Sequence, residues 1–154
     1  MSSEAKNPNV AIVGSTGAVG VELLRVLEER KFPLASLRLL SSARSAGKKQ
    51  TFRGEEYTVE ELTESSFAGV DIALFSAGGS ISKKFGPIAV KAGAVVVDNS
   101  SAFRMDPNTP LIVPEINPED VRAHSGIIAN PNCTPIIMLM AVVTIHKLTP
   151  VRSL

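Results

Sequence analysis

The chain has 154 residues and a formal net charge of +1, which suits one domain able to bury its own core and implies no general attraction to nucleic acid or to an anionic membrane. A single cysteine excludes an internal disulfide and fits a reducing compartment. No apolar run approaches the length of a membrane span. Residues 1–8 are polar and lack the apolar core of a secretory signal, so they read as a flexible lead-in to a cytoplasmic protein, with the proviso that an organelle-targeting peptide removed from a precursor leaves no trace.

Asn9 to Val13 is a short β-prone run. It ends in Gly14-Ser15-Thr16-Gly17-Ala18-Val19-Gly20, after which Val21 to Lys31 has a helical pattern with Leu23, Leu24 and Leu27 on one face. Strand, glycine turn and helix together form the setting in which a Gly-rich loop binds phosphate: glycines admit the backbone to the ligand, and the helix N-terminus receives its charge. The spacing is G-x-x-G-x-x-G, which a tight strand-to-helix turn needing small residues also explains.

Pro33 is expected to break the helix, and Leu37 to Ser42 is the next strand. An NAD site usually places Asp or Glu at the end of this strand, against the ribose 2′-hydroxyl. Here the chain reads Ser41-Ser42-Ala43-Arg44-Ser45-Ala46-Gly47-Lys48, with no acid. Arg44, with hydroxyls beside it, suits a 2′-phosphate and favours NADP. A solvated basic loop is the competing explanation.

Residues 49–60 read as a peripheral β-hairpin turning at Gly54. Asp71 to Ser76 is a buried strand ending in Ser76-Ala77-Gly78-Gly79, small residues that leave room for a ligand at a strand's carboxyl end. Ser80 to Ala92 is a helix in which Pro87 signals a kink or a late start. Ala94 to Asp98 is a strand, followed by the polar cluster Asn99-Ser100-Ser101-Ala102-Phe103-Arg104. Arg104 suits a phosphate or carboxylate, and equally a surface salt bridge. Leu111 to Val113 looks buried. Asn117 is placed to cap a short helix from Pro118 to an exposed His124. Both His124 and His146 read as structural, and no cluster has metal-ligand spacing.

The one cysteine lies in Asn130-Pro131-Asn132-Cys133-Thr134, between a buried strand at Gly126–Ala129 and an apolar helix from Pro135 to Lys147. A thiol at a helix N-terminus is favoured as thiolate and suits a nucleophile. The alternative is a buried cysteine acting as a small hydrophobe. The helix after it is apolar nearly all round and needs cover on several sides. The chain then ends where another strand is expected to begin, which suggests a fragment. These elements make an α/β fold, Rossmann-like and doubly wound, with a mostly parallel sheet and helices on both faces. Residues 9–132 form the dinucleotide-binding domain. Residues 133–154 are expected to form a nucleophile-bearing helix and the start of a further domain that would cover it.

Five motifs in this order resemble the N-terminal half of aspartate-β-semialdehyde dehydrogenase: the glycine loop, Ser42–Gly47, Ser76–Gly79, Asn99–Arg104 and Asn130–Thr134. N-acetyl-glutamyl-phosphate reductases share the plan, but their cysteine usually follows glycine, and Asn132 before Cys133 argues against them. A stand-alone, non-catalytic NADP-binding module is a further alternative. The resemblance implies NADP-dependent reductive dephosphorylation of L-aspartyl-4-phosphate to L-aspartate-4-semialdehyde and phosphate, on the route to lysine, threonine and methionine.

By the same resemblance, Cys133 is the acyl-thioester nucleophile, while Arg104 and Asn132 bind substrate. Gly14, Thr16, Gly17, Ala18, Val19 and Gly20 contact the cofactor around its pyrophosphate, Arg44 and Ser45 hold the 2′-phosphate, and Gly78 and Ser101 lie beside the cofactor. No metal, nucleic acid or membrane is implied, and full-length members are expected as homodimers or homotetramers. A Gln, a substrate-binding Arg and the acid/base His would come from the C-terminal half, so this chain alone is expected to be inactive. One departure is Pro135-Ile136-Ile137, where many members continue differently after Cys-Thr; changed packing rather than lost chemistry is expected.

Overall fold

A computed structural model describes residues 6–153. The flexibility expected of residues 1–5 lies outside the described residues. Pro8 is already tied down, because its carbonyl accepts the Ala35 N–H at 2.9 Å.

In chain order the elements are β1 (Asn9–Val13), α1 (Ala18–Glu29), β2 (Ser36–Ser41), the hairpin β3 (Lys49–Phe52) and β4 (Glu55–Thr58), β5 (Glu60–Glu61), β6 (Ile72–Phe75), α2 (Gly79–Lys91), β7 (Val95–Asp98), β8 (Ile127–Ala129) and α3 (Cys133–Leu148). Six strands form one parallel sheet in the order β5-β2-β1-β6-β7-β8. With the hairpin set aside, this is the doubly wound order of dinucleotide-binding folds, reversing direction between β1 and β6. Every strand of the sheet therefore delivers its carboxyl end, and the loop that follows, to the same edge.

Alternation along β1 separates two cores. Val10 and Ile12 pack with Leu24, Leu39, Phe52 and Val59 on the α1 face, whereas Ala11 and Val13 pack with Phe67, Phe75, Phe85 and Ala89 on the α2 face. The hairpin is thus part of the α1-side core and not a peripheral insertion. Its Phe52 and the Val59 that follows it are both 1% exposed. Its turn places Arg53 and Gly54 at φ +52° and +80°, as a two-residue hairpin turn requires.

Element boundaries moved for local reasons. Helix α1 begins at Ala18, inside the glycine motif, and ends at Glu29, ahead of Pro33. Its end is a left-handed Lys31 (φ +48°), with Phe32 N–H donating back to Leu27 O at 2.9 Å. Helix α2 starts at Gly79 and runs through Pro87, so the late start suggested by that proline does not occur. Residues 118–123 form a short 3-10 helix whose N-cap Asn117 makes no capping bond. The Asn117 side chain instead accepts from Val113 N–H and donates to Leu111 O and Asp120 Oδ2. His124 is half-buried rather than exposed, and its Nδ1 accepts the Gly126 N–H at 3.0 Å. Ile112 and Val113 are buried as read, but Leu111 is not.

Helix α3 is the exception to this packing. It has no buried residue, and it leaves Ile137, Met138, Met140, Ile145 and Leu148 exposed. Among the described residues no helix is long and apolar enough to cross a membrane.

Candidate functional site

A cleft of about 540 Å³ opens at the carboxyl ends of β1, β2 and β6, within the range of cofactor sites. Its walls include Gly14, Thr16, Gly17, Arg44 and Ser45 from the predicted set, together with Ser76 and Ala77. Apolar cover comes from Leu62, Ile81 and Phe85. The strand order explains the location: β1 and β6 are neighbours, and the loops leaving them run to α1 and α2 on opposite faces and open a crevice.

Two glycines make the loop's shape possible. Gly14 has φ +87°, and a Cβ there would stand 3.0 Å from the Ala77 backbone. A Cβ on Gly20 would stand 2.2 Å from the Gly14 carbonyl oxygen and 2.7 Å from Ser15 Cα, so only hydrogen lets α1 lie against the loop it follows. The loop is also tied sideways, since Thr16 Oγ1 and Ser41 Oγ share a hydrogen bond of 2.9 Å. Gly17 is the N-cap of α1 and offers no side-chain cap, and the first turn carries no acid. The N–H groups of Ala18, Val19 and Gly20 have no protein partner among the described residues. Open donors, a positive helix end and a surface only glycine can make are what a pyrophosphate needs. The residues present therefore fit a nicotinamide dinucleotide.

Arg44 sits in a 3-10 turn after β2, is exposed, lines the cleft and makes no ion pair among the described residues. Ser45 beside it is buried. One residue was missed by sequence reasoning. Glu61, in register with Ser41 on the neighbouring β5, also lines this cleft. The expectation of no acid near the end of β2 holds along the chain but not in space. Because β5 comes twenty residues later, only strand pairing could have revealed Glu61.

The remaining predicted residues gather farther along the same edge. Gly78 caps the start of α2. A Cβ on the next residue, Gly79, would lie 3.7 Å from Ser101 Oγ, so Ser101 stands against that helix end. The loop bearing Ser101 is organised by Asp98, which is fully buried and was not singled out from sequence. Its carboxylate accepts from Ser82 Oγ at 2.7 Å, Ser100 N–H at 3.2 Å and Ser100 Oγ at 2.7 Å. Three donors, from α2 and from the loop, are the kind of satisfaction a buried carboxylate demands.

Arg104 then joins two loops. Its Nε donates to Asn130 O and its Nη2 to Asn99 O, both at 2.9 Å, and Asn130 Nδ2 donates to Asn99 Oδ1 at 2.6 Å. No ion pair involves Arg104 among the described residues, which removes the surface salt bridge as its explanation. Nη1 has no protein partner among them.

Three residues after Asn130 comes Cys133. Asn132 is the N-cap of α3: its Oδ1 accepts Thr134 N–H at 2.9 Å and faces Cys133 Sγ at 3.6 Å. Cys133 is the first helical residue, and it is exposed. In this chain the thiol is therefore exposed rather than buried among apolar side chains. Pro135 falls in the first turn of α3, where the missing N–H has no helical partner to lose. The cofactor cleft and the thiol are separate features of one sheet edge; Ser101, Arg104, Asn132 and Cys133 do not line the cleft.

Residues 9–124 match the sequence profile of the family described as semialdehyde dehydrogenase, NAD binding domain. The chain belongs to this family. It is 60% identical over 139 residues to an aspartate-semialdehyde dehydrogenase of Bacillus subtilis, a match covering 90% of this chain and 40% of the relative. The crystal structure of aspartate semialdehyde dehydrogenase II from Vibrio cholerae, complexed with ASA, superposes with a TM-score of 0.89 at 51% identity; the match covers 92% of this chain and 47% of that one. A more distant aspartate semialdehyde dehydrogenase, from Candida albicans with NADP, shares the fold at a TM-score of 0.76 and 22% identity. The chain therefore spans less than half the length of these relatives.

Proposed function

We propose that this chain is the cofactor-binding and nucleophile-bearing part of a cytoplasmic, NADP-dependent aspartate-semialdehyde dehydrogenase. Its substrate is L-aspartyl-4-phosphate, and its products are L-aspartate-4-semialdehyde and phosphate, in the formation of lysine, threonine and methionine. The observation that carries this reading is the Arg104–Asn99–Asn130 bridge, which fixes the segment leading to an exposed thiol on the sheet edge that also bears the dinucleotide cleft.

In this reading the Cys133 thiolate attacks the acyl phosphate carbonyl, forming the C–S bond as the C–O bond to phosphate breaks. The Arg104 Nη1 edge receives the phosphate. The Asn132 oxygen is committed to the helix cap, so its amide N–H₂ is the side free to orient substrate. The nicotinamide, when bound, supplies the hydride that reduces the thioester. We assign the acid/base histidine, the remaining substrate ligands and the oligomer contacts to the portion of the relatives that this chain does not span. Residues 9–132 then act as the dinucleotide domain, and residues 133–154 as the entry to the second domain.

Two measurements test the reading. Iodoacetamide should label Cys133 faster than free glutathione at neutral pH; an equal or slower rate counts against an activated nucleophile. NADPH should bind more tightly than NADH. A second cofactor reading has one specific support: Glu61 in the cleft wall suits a ribose 2′-hydroxyl and so NAD. If Glu61→Gln weakens NADH while leaving NADPH unchanged, the chain uses NAD.

A further inference from the structure

The glycine loop is held from beneath by a residue that none of the motifs includes. Gln50, on β3 of the hairpin, donates from Nε2 to the Ser15 carbonyl at 2.9 Å. Among the described residues this is the sole side-chain hydrogen bond between hairpin and loop. The amide orientation is fixed by chemistry, because a carbonyl oxygen accepts and only the N–H₂ end can donate to it. Neither residue has another side-chain partner to compete: Gln50 Oε1 and Ser15 Oγ are both buried without one.

We propose that Gln50 is a positioning residue for the dinucleotide loop, turning the Thr16 N–H into the cofactor cleft by holding the Ser15 carbonyl on the opposite side. A trans peptide points its C=O and its N–H in opposite directions, and no peptide among the described residues is cis. Fixing the Ser15 oxygen toward the hairpin therefore fixes the Thr16 N–H away from it. The two residues border different spaces, as this requires. Thr16 lines the dinucleotide cleft, whereas Gln50 lines a separate depression of about 400 Å³ against Leu24 and Arg25 of α1. The Thr16 N–H has no protein partner among the described residues, while the neighbouring Gly14, Ser15 and Gly17 N–H groups are all taken by backbone carbonyls. A donor left open between satisfied neighbours, next to the open N–H groups of Ala18, Val19 and Gly20, is aimed at a ligand oxygen. The role is to orient; Gln50 itself does not touch cofactor.

This inference rests on the dinucleotide reading, and its test separates the two. Gln50→Met keeps the side-chain length and removes the donor. It should weaken NADPH and NADH by the same factor, about fivefold or more, because the loop serves the pyrophosphate they share. A 2′-phosphate contact would instead change the ratio between them. The Thr16 amide resonance should move in the unliganded variant, with the thermal midpoint nearly unchanged. If Gln50→Met proves poorly folded, Gln50→Glu, of the same shape but without the donor, gives the same reading. Unchanged affinities for both nucleotides overturn the proposal. If the unsubstituted chain binds neither nucleotide, the dinucleotide reading fails instead; a Thr16 amide that stays in place in Gln50→Met would then overturn the positioning role as well.

Discussion

Helices α1 and α3 both follow a parallel strand and both begin at a polar turn, yet they end in opposite surroundings. Leu24 of α1 is 5% exposed beneath the hairpin, while Ile137 and Leu148 of α3 are 74% and 86% exposed. The difference is one of pattern, not of apolar content. Leucines in α1 form a stripe that a single neighbouring layer covers. In α3 the apolar residues run round the whole circumference, so no single sheet face can bury them. The first helix belongs to a finished layer. The second has no buried residue, in a chain that spans 40% of its Bacillus subtilis relative. Cofactor binding should therefore be a property of this chain, whereas turnover through Cys133 should depend on what covers α3.

The largest predicted effect lies on the finished side. Phe52→Ala removes a ring that is 1% exposed and meets Tyr57 edge-on at 6.0 Å. It should cost about 3–5 kcal/mol in denaturant unfolding. A loss below about 1 kcal/mol would return the hairpin to a peripheral role, well outside what burial of this kind allows. Next comes Gly20→Ala. Its new Cβ meets backbone at 2.2 Å rather than a movable side-chain tip, so α1 must shift off the loop. About 1–3 kcal/mol of stability should go, with weaker binding of NADPH and NADH alike. Full stability together with full affinity would mean that the close approach of helix and loop is unimportant.

Much of this architecture was legible in the sequence because hydrophobic period and glycine placement are local signals. The five strands β1, β2, β6, β7 and β8 fall where alternating or continuous apolar runs put them. What escaped was set by tertiary contact. Strand β5 is two residues, Glu60–Glu61, with no apolar pattern, and pairs with β2 only because the hairpin returns the chain there. Phe52 in a hairpin looks like surface decoration until Val10, Leu24 and Val59 are placed around it. Asp98, read as the end of a strand, becomes the anchor of the Ser100 loop only once Ser82 of α2 lies above it. In the candidate site, contiguous motifs had singled out Gly14, Thr16, Gly17, Arg44 and Ser45, which line the cleft. Glu61 and Gln50, brought in from other strands, were not among them.

A smaller effect should appear in cofactor choice. Arg44 stands exposed at the cleft wall with no protein ion pair among the described residues, so nothing in the fold depends on its charge. Arg44→Ala should leave stability within about 0.5 kcal/mol. It should weaken NADPH by about 1.5–3 kcal/mol, the range of a hydrogen bond to a charged group, and NADH by much less. Equal losses for the two nucleotides, measured by fluorescence titration, would remove the 2′-phosphate role.

The smallest predicted effect concerns α3. Ile137→Ala deletes a large apolar side chain, a change that costs about 2–5 kcal/mol in a core. At 74% exposure it should change the stability of this chain by no more than about 0.5 kcal/mol. A larger loss would mean that α3 is covered in solution, and the concentration dependence of unfolding would identify the cover. A midpoint that rises with protein concentration points to a second copy, because association stabilises the folded form by mass action; a concentration-independent loss would instead require cover from within the chain. If the small effect holds, the same substitution in a chain extended by the second domain should regain the cost of a core deletion. That gain would locate the partner surface of α3 in the added domain and explain why an apolar helix follows directly upon the nucleophile.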